Sequence, residues 1–369
     1  MLGKAILKWL MMSSNILVAL LLLITLSGSV ISPDKFIFPA YFSLTFPLVV
    51  ILNVGFVLFW LLVRNWSFLI SLSLLFFSAT QINDTFPIHF GKTQTEIATQ
   101  PIRILTYNTM MSGKLRKHTA NKPNPVIQYI LDSNADIVCL QEFTTSSNKD
   151  YITHEDMLRI FAKYPYRHIQ YKQKVRHKRL GIATFSKFPI VNKQMVDYPS
   201  RFNVSIISDI NVHGNVIRLV NNHLESNRLT EKDKDMPILL KDKFDAENLT
   251  GITIHFSKKL GMAYRLRANQ ADSIAKIVAR SPHKVIVCGD FNDVPASYAY
   301  TKVKGSLKDA FTEIGRGLGW TFNDRYYHFR IDYVLYDSTA FAPLKYKMDR
   351  VKYSDHYPVL CELNIKDSK

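Results

Sequence analysis

The 369-residue chain carries 47 Lys and Arg against 30 Asp and Glu, a formal net charge of +17. That length suits one large domain with an added segment, or two ordinary domains, and three cysteines without framework spacing exclude a disulfide scaffold. Residues 93–369 alone hold 42 basic and 28 acidic residues, a balance that favours anionic partners such as nucleic acid, phospholipid surfaces or phosphorylated small molecules.

The first quarter of the chain is apolar. Residues 9–31, 36–63 and 65–83 contain no charged side chain, and a spanning helix needs about 20 predominantly apolar residues. Residues 1–83 are expected to form a membrane segment with three transmembrane helices, roughly 9–31, 38–63 and 65–83. Two spans are the alternative, because Ser67, Ser71, Ser73 and Ser78 dilute the third stretch. Lys4 and Lys8 precede the first span and Arg64 lies in the second loop. Basic residues mark the cytoplasmic side, so the remainder of the chain is expected outside the cytoplasm, as in a bacterial inner-membrane protein. Residues 84–100 read as a polar, Thr-rich linker, followed by a soluble domain over 101–369.

Strand-length apolar runs follow one another through that domain: 102–108, 135–142, 180–187, 204–212, 216–224, 284–290, 331–336 and 357–365. A His-Gly-Asn turn between the fourth and fifth is a hairpin signal. Helical patterns occupy 125–134, 154–164 and 264–281. Strands outnumber helices, and hairpins mix with βα units. The expected class is α/β, with two sheets packed face to face and helices outside, an α/β sandwich preceded by transmembrane helices. Cys139, Cys288 and Cys361 lie within apolar runs and read as buried core.

These runs share one kind of ending. They stop at Asn108, at Gln141-Glu142, at Asn222-His223 and at Asp290 with Asn292, while Asp355-His356 stand just before the last strand. Sheets present strand ends along one edge, so these side chains converge if the strand directions agree. Asp290 and Asn292 are two apart and share a side of the pleat, with Asp293 pointing away as a turn residue. Carboxylates and amide oxygens are the hard ligands preferred by Mg²⁺ or Mn²⁺.

In order, "LTYN", "LQE", "NNHLES", "GDFND", "RIDYVL" and "SDHYPV" resemble the motifs of the endonuclease/exonuclease/phosphatase superfamily, whose fold is deoxyribonuclease I-like. The resemblance covers about 101–367. It implies that Glu142 is the principal metal ligand, with Asn108 beside it binding metal or phosphate, and that Asp290 orients or deprotonates the attacking water. Asn292 would hold the nucleophile or a phosphoryl oxygen, and His356 would donate to charge developing on phosphorus. Asp332 would set the tautomer of His356, and Asp355 would touch a second metal or remain structural. His223 stands where the deoxyribonuclease and sphingomyelinase branches use histidine and the abasic-site branch uses tyrosine. Asn222 joins the substrate-binding set.

The implied activity is metal-dependent hydrolysis of a phosphodiester or phosphomonoester by an activated water, with Mg²⁺ or Mn²⁺ as cofactor. Anchoring in a membrane favours a lipid or small phosphorylated substrate. An extracytoplasmic nuclease is the first alternative, and a non-catalytic membrane-bound binding protein the second. Arg265 and Arg267 either meet a phosphate or coat a helix. The charged region 226–262 is a lid or a solvated face, and the basic stretch 171–181 suits a polyanion or lipid headgroups.

Overall fold

A continuous apolar run along a strand puts apolar side chains on both faces of the sheet, and each face must be buried. The computed structural model of the protein describes residues 2–89, 100–119, 122–230, 233, 246–325 and 327–366. Its strands are β1 (Pro101–Asn108), β2 (Ile137–Ser146), β3 (Tyr166–Val175), β4 (Lys178–Ser186), β5 (Ile190–Val196), β6 (Val204–Val212) and β7 (Asn215–His223). They continue with β8 (Lys284–Asp290), β9 (Lys308–Asp309), β10 (Phe322–Asn323), β11 (His328–Phe329), β12 (Asp332–Tyr336), β13 (Phe341–Met348) and β14 (Val359–Ile365). One six-stranded sheet has the order β13-β14-β1-β2-β4-β3, another β5-β6-β7-β8-β12-β9, and β10-β11 form a small ribbon.

Ile104 and Cys139 of the first sheet pack against Leu219, Cys288 and Val334 of the second, filling the space between them. The outer face of the first sheet, through Leu105, Val138 and Leu140, meets Ile127 and Ile130 of helix Pro125–Asp132. The outer face of the second, through Val220, Val287 and Leu335, meets Ala271 and Ile274 of helix Ala246–Ala279. The expected two-sheet α/β sandwich with flanking helices is therefore present. All three cysteines are free and buried.

Strand direction brings the informative ends together. β1 and β2 run parallel, as do β7 and β8, so these four contribute the residues at or near their C-terminal ends. β14 is antiparallel to β1 and β12 to β8, so these two contribute their beginnings to the same edge. The expected hairpin at 204–224 forms as β6 and β7, with His213 and Gly214 at φ 51° and 92° in the turn.

Apart from the two-residue strands β9, β10 and β11, three strands escape an apolar-run reading: β3, β5 and β13. Each lies at the edge of its sheet. Edge strands carry exposed charge that blocks pairing with other chains, and that charge interrupts the run. The basic stretch 171–181 is accordingly a β3–β4 hairpin, turning at Arg176 and His177.

Among the described residues two helices, Gly3–Val30 and Phe38–Leu62, are long and apolar enough to cross a membrane. The latter begins as a 3₁₀ helix, Phe38–Thr45. The expected third span, 65–83, is divided into helices Phe68–Phe77 and Ala79–Thr85 at Ser78, whose hydroxyl donates to the Leu74 carbonyl at 2.5 Å. Such back-bonding bends helices. The stretch still runs alongside the first helix, since Ser71 donates to Asn15 at 2.9 Å and Gln81 to Ser29 at 3.3 Å. At the start of the expected linker, Asp84 lies in the last turn of helix Ala79–Thr85 and is buried; its carboxylate receives Lys304, and its carbonyl receives Arg330. Residues 90–99 of that linker lie outside the described residues.

Candidate active site

At the shared edge the two sheets are joined by side chains. Asn108, ending β1, donates to Asp290 Oδ2 at 2.9 Å across the sandwich, and Gln141 in β2 donates to Asn221 Oδ1 in β7 at 2.7 Å. Between Leu140 and Phe143 the β2–β4 register breaks in a bulge, and Glu142 takes a left-handed φ of 51°. Bulges re-aim side chains at strand ends, and this one places Glu142 on a cavity of about 480 Å³ that Asn108, Asp290, Asn292, Asp355 and His356 also line.

Asp290 ends β8 beside His223 of β7 and directly across from Asp332 of β12. Its carboxylate accepts from the Asn292 backbone N–H at 2.7 Å and from Asn292 Nδ2 at 3.2 Å. Asn292 therefore does converge with Asp290, but not along a pleat. β8 has already ended, and Asn292 folds back with φ 53°. The preceding Gly289 is at φ 120°, and a Cβ there would stand 2.1 Å from the Asn222 carbonyl oxygen. Only glycine permits this approach of β8 to β7.

His356 sits between two carboxylates. Nδ1 is 2.8 Å from Asp332 Oδ2 and Nε2 is 3.8 Å from Asp290 Oδ2. Ligand-type atoms of these three buried residues lie within 4.8 Å of one another. Burial alone would drive the His356 pKa down, but Asp332 and Asp290 outweigh it and hold the imidazole protonated well above its ordinary range. His223 moves the other way: burial lowers it despite Asp290, so it is neutral. Its Nε2 has no hydrogen-bond partner, lying 3.8 Å from Asp290 Oδ2 and 4.0 Å from Glu142 Oε1.

Glu142 is pushed up to about 7, by burial first and then by the Asp355 carboxylate, with Asp290 adding to the effect. Carboxylates crowded until one resists ionisation form a donor set that a divalent cation relieves. Glu142, Asp355 and the Asn108 amide oxygen are all hard donors, the chemistry that a divalent cation takes.

Three expected substrate contacts are placed elsewhere. Arg267 is fully buried, paired with Asp293 at 2.7 Å and donating to the Glu225 carbonyl and Asn227 Oδ1. It supports cavity residues from behind rather than meeting a phosphate. Arg265 reaches the Asp34 carbonyl at 3.5 Å and does not line the cavity. Asn222 lies on the outer face of β7 with Val220, because strand side chains alternate, and its neighbour His223 takes the inner face. Asp293 is not a simple turn residue: it lines the cavity and holds Arg267. The arginine that does line the cavity is Arg228, ion-paired with Glu225.

Of the region 226–262, residues 246–262 belong to helix Ala246–Ala279, and 231–232 and 234–245 lie outside the described residues. Phe256 and Leu260 of that charged region line the cavity, and their four-residue spacing is the helical signal that points to them.

Among solved structures the chain is similar to an endonuclease/exonuclease/phosphatase from Beutenbergia cavernae, at 15% identity over 72% of each chain with a TM-score of 0.49. It is also similar to a humanized D. rerio TDP2 with 14 mutations, at 16% identity over 72% of this chain and 99% of that one, TM-score 0.48. The human Nocturnin catalytic domain with bound sulfate shows 17% identity over 73% and 97%, TM-score 0.47. At these scores the likenesses do not bear on activity. No curated protein matches the chain. Residues 8–85 match a model described as a domain of unknown function. Residues 105–356, the span that contains Asn108, Glu142, His223, Asp290, Asp332 and His356, match the model of the Endonuclease/Exonuclease/phosphatase family. By that match, which covers most of the chain, the protein belongs to the endonuclease/exonuclease/phosphatase family.

Proposed function

We propose that the protein is a metal-dependent phosphoric ester hydrolase anchored in the bacterial inner membrane, with its catalytic domain on the extracytoplasmic side, acting on a lipid or small phosphorylated substrate. The observation that carries this reading is His356, held protonated between Asp332 and Asp290 with Nε2 directed at the cavity.

The tasks then divide among these residues. Asp290, steadied by Asn108 and Asn292, aligns the water and accepts its proton. The water oxygen bonds to phosphorus as the bond to the leaving oxygen breaks in line. Protonated His356 donates to the charge that develops, and Asp332 fixes its tautomer and orientation. Neutral His223 has an unpaired Nε2 to offer a phosphoryl oxygen. Glu142, Asn108 and Asp355 would hold the divalent cation, which when bound neutralises a phosphoryl oxygen.

Nuclease activity is the second reading. It is favoured by the basic β3–β4 hairpin, where Lys174, Arg176 and Arg179 line a separate cavity of about 430 Å³. A non-catalytic binding role is less consistent with so complete a convergence of reactive groups. The test is hydrolysis of bis-p-nitrophenyl phosphate by the purified full-length protein with Mg²⁺ or Mn²⁺. Near-wild-type rates in both Asp290→Ala and His356→Ala would sink the assignment. Plasmid cleavage that collapses with added salt would favour the nuclease.

A further inference from the structure

One wall of the active-site cavity does not come from the sandwich. Leu44, in the 3₁₀ helix Phe38–Thr45 that leads into helix Phe46–Leu62, lines the same space as Asp290 and His356. Phe256, Leu260 and Tyr264, spaced four apart along helix Ala246–Ala279, extend that wall from one helix face. The junction between the two helices is built. Tyr41 donates to the Ser257 carbonyl at 2.7 Å, and its ring meets Tyr264 edge-on with centroids 5.8 Å apart. Gly261 makes room, because a Cβ there would stand 2.5 Å from the Tyr41 hydroxyl.

The cavity thus has a floor of reactive polar groups and an apolar wall, and the segment that supplies Leu44 carries further exposed apolar side chains. Phe36 and Phe38 are 54% and 48% exposed, and Leu48, Ile51 and Leu52 are exposed on the helix that follows. Arg228 is the one Lys or Arg among the described lining residues, and Glu225 pairs with it. The described lining residues can take one phosphate and present no basic track for a polyanion.

Resting on the phosphoesterase reading above, we infer that the substrate is an amphiphile. Its phosphate lies at Asp290 and His356, and a hydrocarbon chain attached to that phosphate lies against Leu44, Phe256 and Leu260. The membrane segment is then a wall of the substrate site and a determinant of specificity, as well as an anchor.

The test uses the full-length protein in a defined non-ionic detergent with Mn²⁺. The substrates are methyl, butyl and octyl p-nitrophenyl phosphate, and log kcat/KM is followed against chain length in wild type, Leu44→Gln and Leu260→Gln. Each methylene buried raises kcat/KM by up to about fourfold. Partition into detergent acts on all three proteins alike, so the difference in slope isolates the wall. The expected result is a rising wild-type series whose slope falls by about half or more in either variant. A flat wild-type series, or slopes unchanged in both variants, overturns the inference while hydrolysis itself stands. A single-stranded oligonucleotide turned over faster than the octyl ester overturns it in favour of a nuclease. Failure to hydrolyse any ester, methyl included, removes the phosphoesterase reading and the inference with it.

Discussion

Asp332 and His356 approach from different sheets. Asp332 opens β12 of the second sheet and His356 precedes β14 of the first, yet Oδ2 and Nδ1 stand 2.8 Å apart. The contact closes the edge of the sandwich and fixes which imidazole nitrogen faces Asp290 and the cavity.

Asp332→Asn removes the leading charge that raises His356. The protonated imidazole is the working form, so activity holds at neutral pH and is lost as pH rises through its pKa. In the variant that pKa falls, and the alkaline limb of the kcat/KM profile moves to lower pH. The rate at neutral pH is expected to drop ~10²-fold. A pH–rate profile in both proteins checks this, and an unmoved alkaline limb would contradict it.

Metal binding should itself depend on pH. Glu142 has a pKa of about 7 without metal, so below that value a proton competes with the cation. Apparent affinity for Mn²⁺ is expected to weaken about tenfold per unit as pH falls below 7, and to level off above it. Calorimetry in buffers of different ionisation enthalpy should register proton release at pH 6 and little at pH 8. Glu142→Gln should abolish that buffer dependence.

Gly289→Ala would force a Cβ against the Asn222 carbonyl at a backbone angle that alanine resists. The next residue pair along β7 and β8 is His223 and Asp290, so strain enters the site directly. A loss of about 3 kcal/mol is expected, read as a fall of about 6–12 °C in melting temperature. A variant that melts like wild type would show that the strands separate without cost.

Arg330 is buried against Asp309 at 2.6 Å and also donates to the Asp84 carbonyl at 2.5 Å. Arg330→Ala leaves Asp309 buried without its cation, which typically costs about 3–5 kcal/mol. It also loosens the attachment of helix Ala79–Thr85 to the catalytic domain. Thermal unfolding and limited proteolysis around residues 86–100 should both register the change. Wild-type values in both would remove Arg330 from this role.

The sequence by itself determined the class of fold, the apolar segment at the start, and the polar residues that end the central strands. Buried central strands are continuous apolar runs, and an acid, amide or histidine that ends such a run stands out. What only the tertiary structure decided depends on neighbours distant in sequence. Strands β3, β5 and β13 were hidden because edge positions replace apolar residues with charge. For Arg267 the sequence leaves a phosphate ligand and a helix coat both open, and only its burial against Asp293 decides. The apolar wall joins Leu44 to Phe256 and Leu260, more than 200 residues later. No local pattern announces that contact, because a cavity is a property of packed surfaces and not of any one segment.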